Sequence, residues 1–149
     1  MSFFYLDSSA LAKRYLLEAG TLWVRSVVDP AASNVIIVAE ITRVEVAAAL
    51  AARHRATGGT TRRERDDAIE LLLQHCDVEY QIIAVDLNVV SRAVTLTQAH
   101  RLRGYDAVQL AAALTAAAIL PGLVFIAADD DLLAAARAEG LATENPNQH

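Results

Sequence analysis

The sequence predicts an α/β domain in which a mostly parallel sheet is covered by helices. Short apolar runs alternate with longer segments of helical periodicity, and parallel strands require such helical crossovers. One of the runs, Val35-Ile36-Ile37-Val38, is apolar at every position, as strands covered on both faces are. The chain has 149 residues, of which 54% are hydrophobic. A single domain of this size buries about 70% of the surface its unfolded chain exposes, enough for a full core.

The elements follow in order. Phe3 to Leu6 reads as a buried strand that ends on Asp7-Ser8-Ser9, a helix-capping run, and the first helix extends from about Ser9 to Glu18. Gly20 stops it, and Thr21 to Val28 is a second helical piece before the loop Pro30 to Asn34. The second strand spans Val35 to Val38. From Thr42 the apolar residues Val44, Val46, Ala47, Leu50 and Ala51 recur at helical spacing until Thr57-Gly58-Gly59-Thr60 interrupts them. Arg62 to Asp77 returns as a helix, so the pair forms an αα-hairpin. Gln81 to Val85 is the third strand and Leu87 to His100 a helix. Asp106 to Leu120 is a helix apolar nearly all round, hence buried, ended by Pro121-Gly122. Leu123 to Ala127 is the fourth strand, Asp129 to Glu139 the last helix, and Leu141 to Thr143 a short edge strand. The domain is expected over residues 1–144, with 145–149 a flexible, frayed tail.

Composition excludes several classes. A single cysteine, Cys76, cannot close an internal disulfide, and the Met-Ser-Phe-Phe start lacks the charged region and apolar core of a secretory signal, so a reducing cytoplasm is the expected compartment. The longest apolar run, Ala111 to Leu120, falls well short of the roughly 20 residues of a membrane span. A net charge of −5 argues against binding nucleic acid by charge alone. Yet arginine outnumbers lysine twelve to one, and Arg43, Arg53, Arg55, Arg62, Arg63 and Arg65 crowd the middle of the chain. That bias favours bidentate recognition of phosphate or carboxylate, with a solvated face as the alternative.

The chemistry is carried by acids. In open α/β sheets ligands bind beyond the carboxyl ends of the strands, where strand order reverses. Asp7 follows the first strand and Asp129 the fourth; Glu45 lies in the first turn after the second strand, and Asp106 opens the buried helix. Carboxylates brought together raise one another's pKa unless a cation neutralises them. An all-oxygen set without a Cys or His cluster suits Mg²⁺ or Mn²⁺ better than zinc. Each acid also has a purely local explanation: Thr42 with Glu45 fits a capping box, Asp106 with Gln109 an analogous pair, and Asp7 and Asp129 plain N-caps. His54, His75, His100 and His149 show no ligand spacing and read as surface or helix-end residues. Trp23, Tyr15, Tyr80 and Tyr105 read as core, and Cys76 as a small buried residue.

At these residues the sequence resembles the PIN-domain family, and within it the VapC-type toxins of bacterial toxin-antitoxin pairs. The matching segments are Tyr5 to Lys13, Ile41 to Val46, Leu102 to Ala111 and Phe125 to Leu133, in order along nearly the whole chain. The resemblance implies a three-layer domain with a parallel sheet in the order 3-2-1-4-5, flanked by helices and carrying a protruding helical hairpin. It implies a homodimer, an antitoxin partner and an Mg²⁺- or Mn²⁺-dependent endoribonuclease acting on structured RNA such as tRNA or rRNA. Asp7, Glu45, Asp106 and Asp129 match the family's acidic positions. Asp7, Asp106 and Asp129 are the expected metal ligands, Glu45 positions water or acts as base, and Ser9 matches the small hydroxyl residue beside the first acid. Ala127 departs from the pattern, which commonly has Thr or Ser two residues before the last acid, and Asp130 and Asp131 compete with Asp129 for the metal. Arg43, Arg53, Arg62, Arg63 and Arg103 are candidate contacts to RNA or antitoxin, with Arg55, Lys13, Arg14 and Arg101 as further ones. A catalytically silent interaction module on the same fold is the alternative. A phosphorylation-dependent receiver would need a lysine near the late strands, and the only lysine is Lys13.

Overall fold

In the computed structural model, which describes residues 1–149, five strands form one sheet in the order β3-β2-β1-β4-β5. The strands are β1 (Phe3–Leu6), β2 (Val35–Ala39), β3 (Gln81–Ile83), β4 (Val124–Ile126) and β5 (Ala142–Glu144). Every neighbouring pair is parallel, with Tyr5 opposite Ile37 on one side and Phe125 on the other. The helices are α1 (Ser8–Tyr15), α2 (Thr21–Val28), α3 (Thr42–Arg55), α4 (Arg62–Val78), α5 (Leu87–Ala99), α6 (Gly104–Ala117) and α7 (Asp130–Ala138).

Side chains alternate across each strand, and the two faces build separate cores. Tyr5, Ile37 and Phe125 join α5, α6 and α7 on one face. Leu6, Ile36, Val38 and Ile126 join α1 to α4 on the other, giving three layers. Helix α6 is buried nearly all round because Ala residues let it lie close to both the sheet and α5. The α3–α4 hairpin turns at Gly59, where a Cβ would lie 1.8 Å from the Arg53 carbonyl oxygen. Thr61 and Glu64 then start α4 with a reciprocal capping box.

Two local expectations fail. Helix α6 starts at Gly104, two residues before the expected Asp106, with Arg103 as an N-cap that makes no side-chain hydrogen bond. Residues 145–149 are not frayed. Pro146 to Gln148 form a 3-10 turn capped by Asn145, Pro146 is buried, and His149 stacks on Trp23 with ring centroids 4.1 Å apart. Gly20 makes room for this segment, since a Cβ there would meet the Pro146 carbonyl oxygen at 2.4 Å. No helix is long and apolar enough to cross a membrane.

Candidate functional site

The chain runs to one side of β1 through β2 and β3, and reaches the other side through β4 and β5. Loops leaving β1, β2 and β4 therefore diverge at the carboxyl edge of the sheet and open a crevice there. A cleft of about 740 Å³ occupies it, and Asp7, Ser9, Glu45, Asp106 and Asp129 all line it. Its other wall is apolar, made by Ala12, Ile41, Val44, Ala48, Ala49 and Tyr105. A smaller cleft shares Asp106, Asp129 and Arg103 and continues past Thr97, His100, Arg101 and Asp131.

Asp7 is the N-cap of α1, and its Oδ1 accepts from the Ala10 amide at 2.9 Å and from the Ser9 hydroxyl at 2.6 Å. The residue is only 3% exposed, and no cationic side chain of the protein bonds it. Burial pushes its carboxyl up to about 7; the negative charges of Glu45 and Asp106 add to the rise, against the Ser9 and Ala10 hydrogen bonds. Ser9 Oγ also accepts from the Ala128 amide at 2.9 Å, tying α1 to the loop after β4. With Ala at 127, that loop has no hydroxyl of its own to make such a bond.

Asp129 caps α7 through the Leu132 amide at 2.9 Å. Of the three consecutive acids it alone lines the larger cleft, since Asp130 accepts from Asn145 at 3.3 Å and Asp131 faces only the smaller one. Asp106 is the third residue of α6, not its cap. Likewise Thr42 does not cap α3, whose N-cap is Ile41. Thr42 and Gln109 instead meet each other. Gln109, 1% exposed, donates from Nε2 to Thr42 Oγ1 at 3.0 Å and to Glu45 Oε1 at 2.7 Å, while its Oε1 accepts from the Tyr5 hydroxyl at 2.7 Å. The Tyr5 phenol is pushed well above its ordinary value by burial, with the charges of Asp7 and Glu45 adding to it.

The acids line one cavity, yet no three Asp, Glu, His or Cys side chains converge tightly enough to grip an ion by themselves. Mg²⁺ keeps several waters and is usually bound through one or two carboxylates plus substrate oxygens, so an all-oxygen wall around a desolvated, cation-free Asp7 fits it and Mn²⁺. Arg103 stands at the mouth, with its guanidinium 3.4 Å from Asp106 and 3.9 Å from Asp129 and its side chain 85% exposed.

The other arginines lie elsewhere. Arg43 faces Asp77 at 4.0 Å, Arg53 pairs with Glu18 at 3.3 Å, and Arg62 and Arg63 pair with Asp66 and Asp67 along α4 at 4.0 and 3.8 Å. Lys13 is buried against Glu18, and Arg14, half-buried, pairs with Glu79 and bonds Tyr80. His75, expected at the surface or at a helix end, lies in the last turn of α4, buried and bonded to Tyr15 at 2.8 Å. Tyr105, expected in the core, is exposed on the cleft wall. Sequence reading passed over Gln109 as a functional residue; the available signal was a lone polar residue among alanines and leucines.

No protein-family model and no curated protein matches the chain. Solved structures do. FitAcB from Neisseria gonorrhoeae superimposes with a TM-score of 0.68 at 16% identity, covering 97% of this chain and 98% of that one. VapC20 of Mycobacterium tuberculosis, a sarcin-ricin loop cleaving toxin, gives 0.65 at 16% over 93% and 96%. A toxin-antitoxin complex from Klebsiella pneumoniae gives 0.62 at 20% over 97% and 98%. At these identities the likeness speaks to architecture, and the chain adopts the PIN-like fold found in toxins of this kind.

Proposed function

We propose that the chain is the toxin of a toxin-antitoxin pair and a divalent-metal-dependent endoribonuclease. The observation that carries this reading is Asp7: a carboxylate buried at the carboxyl edge of a PIN-like sheet, facing a cleft lined by three further acids, with no cation of the protein to offset it. Burying such a group uncompensated is costly, and folds retain that cost where a ligand relieves it.

Asp7, Asp106 and Asp129 would hold Mg²⁺ or Mn²⁺. When bound, such an ion offsets charge on a scissile phosphate and lowers the pKa of a water. Ser9 fixes the rotamer of Asp7 and anchors the loop bearing Asp129. Glu45 has one oxygen engaged by Gln109, which leaves the other without a protein donor to receive a proton from the attacking water. Arg103, exposed at the mouth, contacts an RNA phosphate, and Arg101 extends that track along the smaller cleft. The apolar wall from Ala12 to Ala49 receives the antitoxin, and one structure of similar fold is a toxin-antitoxin complex. A homodimer and a cytoplasmic site of action complete the reading.

Incubating the purified protein with total cellular RNA, with and without Mg²⁺ or Mn²⁺, and mapping the new ends tests it. Metal-dependent ends that vanish in Asp7→Asn and Asp106→Asn are expected; full activity in the double variant refutes the assignment. A second reading is a catalytically silent interaction module on the same fold. Wild-type protein that binds an antitoxin but yields no new ends under either metal would establish that reading.

A further inference from the structure

We infer that Gln109 is a positioning residue that sets Glu45 in place through a directional hydrogen-bond relay beginning at Tyr5; this rests on the ribonuclease reading. The relay joins three segments that each have an acid of the cleft on them or directly after them. Tyr5 lies on β1 two residues before Asp7, Thr42 and Glu45 share the first turn of α3, and Gln109 follows Asp106 by one turn of α6.

The direction is fixed by chemistry. A carboxylate can only accept, so the Gln109 amide nitrogen must face Glu45. Its second hydrogen goes to Thr42, and its oxygen is met by the Tyr5 hydroxyl. Turning the amide over would set oxygen against oxygen at Glu45 and leave the Tyr5 hydrogen facing an NH₂ group. Gln109 is itself only 1% exposed, so water reaches its amide poorly and those losses stand. The two hydrogens are fully used, so Glu45 is held by one oxygen at 2.7 Å and its remaining oxygen is aimed by the same contact. Tyr5 is itself clamped by stacking on Phe125, with centroids 5.6 Å apart, which makes the start of the relay rigid.

The test compares Gln109→Leu, Tyr5→Phe and the double variant, each checked for folding by circular dichroism. Removing such an orienting partner lowers activity by about 10- to 100-fold. Gln109→Leu should therefore lose that much in kcat with little change in KM. Tyr5→Phe, which keeps the ring and its stacking, should lose a few-fold, and nothing more once Gln109 is gone, because Tyr5 acts through it. A folded Gln109→Leu protein with wild-type kcat, or losses that multiply in the double variant, would overturn the relay. Should Gln109→Leu fail to fold, Tyr5→Phe with wild-type kcat overturns it equally.

The side-chain amide protons of Gln109 give a readout independent of catalysis. In wild-type protein they should exchange slowly and give two widely separated resonances, and Tyr5→Phe or Glu45→Gln should collapse that pattern. Unchanged resonances in both variants sink the relay. Wild-type protein that neither binds Mn²⁺ nor cleaves RNA sinks the ribonuclease reading, and the amide resonances still decide the relay.

Discussion

Helix α1 carries a polar cluster at each end, and the two are built on opposite terms. At its C-terminal end Arg14 donates to Glu79 at 2.8 Å and to the Tyr80 hydroxyl at 2.5 Å, and Tyr15 bridges Tyr80 at 2.7 Å and His75 at 2.8 Å. Each charge there has a counter-charge and the hydroxyls are bonded, so the cluster is complete without a ligand. At the N-terminal end Asp7 has two hydrogen-bond donors, no cation and three acids across the cleft. The first cluster locks α1 to α4; the second keeps α1 under electrostatic tension that only something from outside can release.

The sharpest way to break this contrast is Asp7→Asn. If the cleft is the active centre, cleavage should fall roughly 10²- to 10³-fold, the several kcal/mol that a lost metal ligand is worth. Asn keeps the acceptor for Ala10 and Ser9, so the same change should stabilise the ion-free protein at pH 8 by on the order of 2–4 kcal/mol in urea unfolding. The sign follows from the folded-state value of about 7 against 3.8 for the free group. The folded state holds the proton more tightly, so stability is full below about pH 4, declines as pH rises to about 7 and is flat above. Mn²⁺ should reverse the trend, raising Tm more at pH 8 than at pH 5.

The complete cluster predicts the converse. Arg14→Leu strands Glu79, whose side chain is 28% exposed, and should cost about 2–3 kcal/mol of stability while the folded enzyme keeps its kcat. His75 adds an opposite pH slope, because burial and then Arg14 lower its pKa below 6.5. The unfolded chain binds the proton first, so stability falls as pH drops below about 6.5. In an Asp7→Asn background, where the acid's compensating rise is gone, that loss should emerge as a steeper fall in Tm between pH 7 and pH 5.

Smaller effects sharpen the assignment of the arginines. Arg103→Gln should raise Mn²⁺ affinity a few-fold in calorimetry by freeing Asp106 and Asp129, yet raise KM for RNA and cut the salt slope of binding by about one. Arg62→Glu and Arg63→Glu should change least: within about 0.5 kcal/mol of stability, and under about twofold in KM, because both side chains lie along α4 beside their own Asp partners.

β1, β2 and β4 were legible as β-branched or aromatic runs, and Asp7 and Asp129 were legible because they cap the helices that follow β1 and β4. Their convergence follows from parallel connectivity alone, while the order of the strands came from the family resemblance. Gln109 was not legible. Its partner Tyr5 is 104 positions away, and its distance of three from Asp106 imitates a cap that the earlier start of α6 rules out. Tyr105 left its expected core environment because it stands in the first turn of α6 on the cleft wall, and His75, at the end of α4, is buried because it meets the Tyr15 hydroxyl. The order in residues 145–149 depends on a vacancy at Gly20, which no local pattern near Asn145 encodes.

That last contact gives the molecule an optical handle. The only indole in the chain, Trp23 of α2, lies nearly parallel to the His149 imidazole, at 3° between planes. Its fluorescence therefore reports whether the C-terminal residues are seated, and an antitoxin or a second subunit that displaces them would announce itself as a change in emission without any label.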